Sequence, residues 1–186
     1  MSLVVLGRDG VINAVTGEGM VTDPEAWQAL PGSLRAIARL CHAHYRVVVV
    51  TNQPGLATGR LDPGMLQRIH HKMLREVAAE GGHIEAVLYC PHAPGAGCDC
   101  RKPRAGLLRE LGERLGLSLQ DVPVIGDDRA DVEMARAVGA RPVLVRTGRG
   151  EATLAAAGGG LEGVSVAADL AAAVDGLLDG RLETGS

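Results

Sequence analysis

Four short polar runs could carry chemistry: Arg8-Asp9-Gly10, Thr51-Asn52-Gln53, Arg101-Lys102-Pro103 and Gly126-Asp127-Asp128, the last followed by Asp131. Carboxylates offer the hard oxygen ligands that suit a cation such as Mg2+. A hydroxyl, an amide and a lysine can surround a phosphoryl group, whose transfer needs mainly positioning and charge neutralisation. Taken singly, Asp127 and Asp128 read equally well as helix N-caps and Lys102 as a solvated surface charge. Taken together, each run follows an apolar strand-like segment or stands before a helix, and the four read as the walls of one crevice.

A second cluster has a different chemistry. Cys90, His92, Cys98 and Cys100 fall within eleven residues. Three thiolates and one imidazole make a complete tetrahedral set for Zn2+. Two tight ligand pairs joined by a short Gly/Pro loop can wrap one ion, and closing that loop removes conformational freedom. No ligand position is left open, so the zinc is expected to be structural and to fix the loop that presents Arg101 and Lys102. Cys41 stands apart in a helical stretch and reads as a core thiol.

These residues need elements to hold them. Continuous apolar runs predict strands at Leu3–Leu6, Arg46–Thr51, Ala86–Tyr89, Val122–Ile125, Pro142–Val145 and, more weakly, Val164–Val166. Runs without alternation suit strands buried on both faces. Helices are predicted over Ser33–His44, Pro63–Glu80, Ala105–Leu115, Ala130–Val138 and Ala167–Leu178; the second has Asp62 as its N-cap, Pro63 at its first position and Gly81-Gly82 at its end. This order predicts an α/β, Rossmann-like three-layer domain around a central parallel sheet, with a short zinc-binding loop over 90–100. Ligands of such sheets sit beyond the carboxyl ends of the strands, where three of the polar runs fall, while Arg101-Lys102-Pro103 stands at a helix entrance. The Gly/Ala-rich stretch Gly148–Gly163 reads as a loose loop or frayed helix and the C-terminal end as loosely ordered, with no chemistry assigned.

The 186 residues suffice for one domain spanning 1–186. Aromatics are 2% with no Phe, so the core must be Val, Leu, Ile and Ala, and the stacking platforms of single-strand nucleic-acid binders are missing. A net charge of -3 without a basic cluster disfavours a duplex or an anionic membrane as partner. The apolar run Leu3–Leu6 is too short for a signal peptide or a span. The default expectation is a cytoplasmic monomer that binds a small phosphorylated molecule, with no nucleic acid and no membrane as partner.

The order Arg-Asp-Gly, Val-Thr-Asn-Gln, Arg-Lys-Pro and Ile-Gly-Asp-Asp-x-x-Asp resembles the motifs of the haloacid dehalogenase-like superfamily, over about residues 3–147. The resemblance implies that Asp9 protonates the leaving oxygen and later activates water, its backbone carbonyl also binding catalytic Mg2+. Thr51 and Lys102 would hold the phosphoryl oxygens. Asn52, Gln53, Arg101 and Asp128 would contact substrate. Asp127 would bind Mg2+, and Asp131 would orient Lys102 or support the metal from behind its ligands. Cys-x-His, a short loop and Cys-x-Cys-Arg-Lys-Pro resemble the D-glycero-D-manno-heptose-1,7-bisphosphate 7-phosphatase family, related to the histidinol-phosphatase domain. Both are capless, so Ala14–Asp23 and the zinc loop would wall the pocket. The departure is Gly7, which stands where the superfamily carries its nucleophilic aspartate. A glycine cannot form an aspartyl-phosphate and removes one Mg2+ carboxylate. The resemblance therefore implies a sugar-phosphate phosphatase impaired at position 7, a catalytically silent sugar-phosphate-binding relative, or a histidinol-phosphate phosphatase.

Overall fold

The computed structural model describes residues 2–15, 19–156 and 160–182. Six strands, β1 (Ser2–Leu6), β2 (Tyr45–Asn52), β3 (Ala86–Cys90), β4 (Pro123–Gly126), β5 (Arg141–Val145) and β6 (Ser165–Ala167), form one sheet in the order β3-β2-β1-β4-β5-β6. All pairings are parallel. Helices α1 (Ser33–His42), α2 (Pro63–Ala79), α3 (Gly106–Leu115), α4 (Arg129–Arg136), α5 (Gly150–Ala155) and α6 (Leu170–Leu178) connect and follow them.

The unalternating strands are explained by two cores. Val4 and Leu6 of β1 and Val47 and Val49 of β2 face one cluster, with Ile37 and Leu40 of α1, Ile69 of α2 and Val174 of α6. Leu3, Val5, Val48 and Val50 face the other, with Leu108 and Leu111 of α3 and Met134 of α4. Period-two alternation thus sends apolar residues to both faces, as a three-layer α/β domain requires. Among the described residues no separate cap domain covers the carboxyl edge of the sheet, and no helix is long and apolar enough to cross a membrane.

The helix-start signals hold. Asp62 Oδ1 accepts the Met65 N–H at 2.8 Å, with Pro63 in the first turn of α2. Most boundaries fall within one or two residues of expectation, and two have an evident local cause. Helix α1 stops at His42 because the chain turns through His44 at φ 64 and enters β2 at once. Helix α6 begins at Leu170, not Ala167, because Asp169 caps it by accepting the Ala172 N–H at 2.8 Å. The stretch Gly148–Gly163 contains the short helix α5. Two of its glycines, Gly148 and Gly150, answer close packing. A Cβ on Gly150 would fall 1.8 Å from the Val145 carbonyl oxygen. Residues 157–159 and 183–186, to which the expectation of loose order extended, lie outside the described residues.

The order of strands reverses beside β1, which pairs β2 on one side and β4 on the other. The register Leu6↔Ile125 brings the ends of β1 and β4 together, and with them Asp9 and Asp127. This is the switch point at which open α/β sheets hold their ligands.

Candidate active site

The loop after β1 continues the sheet for one residue, Gly7 N–H donating to the Ile125 carbonyl at 2.8 Å, then turns tightly. Gly10 makes the turn at φ 80, and a Cβ there would lie 2.1 Å from Asp127 Oδ2, so only glycine fits. The Asp9 carboxylate accepts hydrogen bonds from Arg8 Nε and Nη2, from Asn13 Nδ2 at 3.0 Å and from Gln53 Nε2 at 3.1 Å. Burial works against its charge, but the Arg8 guanidinium and the amide donors hold it below the ordinary carboxylate range.

The second and third polar runs are joined by Asn52. Its Oδ1 accepts the Lys102 N–H at 3.2 Å and its Nδ2 donates to the Lys102 carbonyl at 3.4 Å. Gln53 Nε2 also donates to Thr51 Oγ1 at 3.0 Å. Lys102 Nζ meets Asp131 Oδ1 at 2.6 Å. Burial disfavours the ammonium, but Asp131 offsets that and holds it above its usual value. The other oxygen of Asp131 accepts the N–H groups of Asp127 and Asp128 at 3.2 and 3.3 Å. With both oxygens engaged, Asp131 is placed to orient Lys102. Asp127, Asp128 and Asp131 offer carboxylate oxygens close enough together to hold a cation. Burial, joined by the Asp131 and Asp128 charges, pushes Asp127 up to about 7 despite the Arg149 N–H bond, so the carboxylates crowd in a way that a divalent cation would relieve.

Asp9, Thr51, Asn52 and Gln53 face a cavity of about 260 Å³ that Arg101, Lys102, Asp127 and Asp128 close from the other side. Val15, Gly19 and Met20 of the expected wall line it too, while residues 16–18 lie outside the described residues. A larger open depression of about 750 Å³ sits at the opposite edge of the sheet, against Ser2, Tyr45, Pro123 and Arg141. None of the carboxylate and lysine groups above line it.

The cysteine cluster closes as expected. Cys90 Sγ lies 3.7 Å from Cys98 Sγ, 3.2 Å from Cys100 Sγ and 3.6 Å from His92 Nδ1. Ligands about 2.0–2.3 Å from a tetrahedral ion stand roughly 3.5–3.8 Å apart, so the four donors could hold a metal. Burial and the two neighbouring sulfurs push Cys100 up to about 12; three thiolates crowd this space unless a cation joins them. Arg104 Nη1 donates to the carbonyls of Gly97 and Cys98, and Arg101 Nη1 to that of His92, tying the loop to the run that carries Lys102. Cys41 is remote from these ligands, contacting the backbone of His83.

With this geometry in view, comparison with known proteins is specific. A sequence family described as HAD-hydrolase-like matches residues 99–173. The chain is 47% identical to D-glycero-beta-D-manno-heptose-1,7-bisphosphate 7-phosphatase of Bordetella bronchiseptica, over 96% of this chain and 98% of that protein. It is 46% identical to the enzyme of the same name from Pseudomonas aeruginosa, over 95% and 98%. The chain belongs to the D-glycero-beta-D-manno-heptose-1,7-bisphosphate 7-phosphatase family. The B. bronchiseptica phosphatase, crystallised with magnesium and phosphate, superposes with a TM-score of 0.93 over 97% of this chain and 99% of that one, at 46% identity. The Burkholderia thailandensis phosphatase gives 0.76 over 96% and 99%, at 44% identity.

Within this family member, the structure adds residues that sequence reasoning missed. Arg149 donates its N–H to Asp127 Oδ2 at 2.9 Å and lines the cavity. It follows β5 directly after Thr147-Gly148, and polar residues at a strand's carboxyl end were the signal that found the other runs. Asn13 and His70 also escaped notice. Arg8 is buried, and its Nη1 lies 3.0 Å from His70 Nε2 on α2, a ring nitrogen that must then accept. Burial, with the Arg8 charge added, pushes His70 down to about 4. The unfolded chain therefore binds a proton at His70 between about pH 4 and 6.5 that the folded protein refuses, so the contribution of His70 to stability rises with pH across that window and is flat above it. His70→Gln keeps an acceptor for Arg8 but does not titrate. Denaturant unfolding of this variant is expected to lose roughly 2 kcal/mol of that pH dependence; an unchanged slope would show that His70 protonates freely in the folded protein.

Proposed function

We propose that this chain takes the terminal phosphate of a sugar bisphosphate into the Asp9–Lys102–Asp127 cavity and acts as a phosphomonoester hydrolase on the 7-phosphate of D-glycero-D-manno-heptose 1,7-bisphosphate, with turnover limited by Gly7. The observation that carries it is the convergence of Asp9, Thr51, Lys102 and Asp127 on one cavity in a chain so close to the family's enzymes. Thr51 Oγ1 and Lys102 Nζ would hold the phosphoryl oxygens. Arg101, Asn52, Gln53 and Asp128 would border the sugar. Asp127 and the Asp9 carbonyl would hold Mg2+, which supplies charge neutralisation at the phosphoryl group. Asp9 starts ionised, ready to accept a proton from water; an arriving phosphate dianion raises its pKa, the direction a general acid requires.

The second reading, a silent binder with the same pocket, is favoured by one residue, Gly7. Ranking substrates on the Gly7→Asp protein tests the assignment. Its kcat/KM with Mg2+ is expected to be higher for the heptose bisphosphate than for histidinol phosphate, and a preference for histidinol phosphate would overturn the substrate assignment.

The Cys90–His92–Cys98–Cys100 set fits Zn2+ by ligand type and spacing. Protein purified without chelator is expected to carry one zinc per chain by elemental analysis, and Cys98→Ser to lose it while hydrogen exchange across 90–102 rises. A zinc content far below one sinks this assignment. A thiolate-rich site suits a reducing compartment, which supports a cytoplasmic location. Every group of the pocket comes from one chain, so a monomer suffices.

A further inference from the structure

The hydrolytic chemistry above assigns no role to Arg8 or His70, yet both stand directly behind Asp9. The Arg8 side chain is 0% exposed, while the Asp9 side chain beside it is 22% exposed and lines the cavity. A guanidinium taken out of water is costly unless its donors are matched. One edge of it is matched by Asp9. Nε lies 3.2 Å from Oδ1, and Nη2 lies 3.0 Å from Oδ1 and 2.9 Å from Oδ2. On the other side Nη1 has one polar contact among the described residues, His70 Nε2 at 3.0 Å.

The guanidinium is a rigid planar fork, so holding Nη1 also holds the edge that grips Asp9. His70 is itself well placed to hold it. It follows the buried Ile69 and precedes the buried Met73 by one turn of α2. Its ring packs at a tilt against Tyr89 of β3, with centroids 6.0 Å apart. Two residues further on, Lys72 Nζ donates to the carbonyls of Pro24 and Trp27 at 2.9 and 3.0 Å, tying α2 to the chain that follows the cavity wall. The other donors to Asp9, Asn13 Nδ2 and Gln53 Nε2, are neutral amides. Arg8 is therefore the one charged group that fixes the carboxylate, and His70 is what fixes Arg8.

We propose that His70 is a positioning residue for proton transfer at Asp9: its Nε2 fixes Arg8, and Arg8 aims the Asp9 carboxyl group at the leaving oxygen of the phosphomonoester. This rests on the phosphatase reading above. In that chemistry the phosphorus–oxygen bond breaks with its electron pair going to the sugar oxygen. Asp9 supplies the proton that this oxygen needs, and the phosphoryl group passes to the attacking nucleophile, which in the Gly7→Asp protein is the introduced carboxylate. A proton donor held out of line with the leaving oxygen loses much of its effect.

Steady-state kinetics of the full-length Gly7→Asp protein in Mg2+ test this, with D-glycero-beta-D-manno-heptose 1,7-bisphosphate and 4-nitrophenyl phosphate as substrates. The nitrophenolate leaves without needing a proton, so kcat/KM for the aryl ester is insensitive to the aim of Asp9. Adding His70→Leu removes the acceptor and is expected to lower kcat/KM for the bisphosphate about ten- to hundredfold while leaving the aryl ester within about threefold. His70→Gln keeps an acceptor and should bring the bisphosphate value back to within about threefold of the protein with His70 intact. A merely structural histidine would change the amount of folded enzyme and not the ratio between substrates. Equal losses on both substrates, an unchanged bisphosphate value, or Gln no better than Leu overturns the assignment. Should His70→Leu fail to fold, His70→Met is read in the same way; if neither folds while His70→Gln does, His70 is a structural acceptor only, which also overturns it. If Gly7→Asp alone turns over neither substrate, the phosphatase reading itself fails, an outcome visible before any His70 variant is made.

Discussion

Gly7→Asp is expected to raise Mg2+-dependent phosphate release from D-glycero-D-manno-heptose 1,7-bisphosphate by roughly three to five orders of magnitude over the parent. The expectation follows from what else is in place. Asp9, Thr51, Lys102 and Asp127 already face the cavity, and Asp131 already pairs with the lysine. On the proposed reading, the part that Gly7 lacks is a carboxylate that would attack phosphorus and split one hard displacement into two easier ones. Space for it is nearly available. Gly7 has no left-handed φ, and a Cβ there would meet Val11 Cγ2 at 3.0 Å and the Ile125 carbonyl oxygen at 3.6 Å. Val11 must give by a few tenths of an ångström. The introduced charge joins an already crowded set of acids, so the variant should be about 1–3 kcal/mol less stable than the parent without a divalent cation and recover most of that with Mg2+. Thermal unfolding with and without Mg2+ measures this. An equal cation response in parent and variant would mean that position 7 does not face the metal site.

Lys102→Met is expected to abolish measurable binding of inorganic phosphate in Mg2+, a loss of more than about a hundredfold, and to destabilise the fold by about 3 kcal/mol. Both effects come from one contact. Lys102 Nζ and Asp131 Oδ1 form a largely buried pair at 2.6 Å, with side chains 11% and 4% exposed. Removing the ammonium strands a buried carboxylate and takes the strongest cation from the cavity floor. The double variant Lys102→Met/Asp131→Asn separates the two roles. Stability should largely return, because the amide carries no charge and its oxygen can still accept the Asp127 and Asp128 N–H groups. Phosphate binding should not return. Recovery of both would make Lys102 a structural cation only, with no part in holding phosphate.

Much of this site was legible in the sequence because its residues obey position rules that do not depend on tertiary detail. Apolar runs located the strands, parallel topology put their carboxyl ends on one edge, and the polar residues immediately after those runs had nowhere else to go. Asp131 was readable as a partner of Lys102 or a support of the metal, although only the structure shows that it meets Lys102 while closing a capping box with Asp128. The four metal-ligand candidates were readable from type and spacing alone. Other residues were hidden for physical reasons. His70 acts through a contact 62 residues away in sequence, made by a helix whose visible signals were its cap and its apolar stripe. Arg149 was masked by the glycines around it: composition suggested looseness, whereas Gly148 and Gly150 are there because backbone and Asp127 press too closely for any side chain. The ends of α1 and α6 shifted because single residues, His44 and Asp169, decide where a helix stops or starts.

The most direct test of the central claim, that this is a complete phosphatase pocket lacking one carboxylate, is intact-protein and peptide mass spectrometry after rapid acid quench with D-glycero-D-manno-heptose 1,7-bisphosphate and Mg2+. The expected result is a transient phosphoryl adduct on the aspartate that Gly7→Asp introduces and none on the parent. An adduct mapped to Asp9 or Asp127, or rapid turnover by the parent itself, would contradict it.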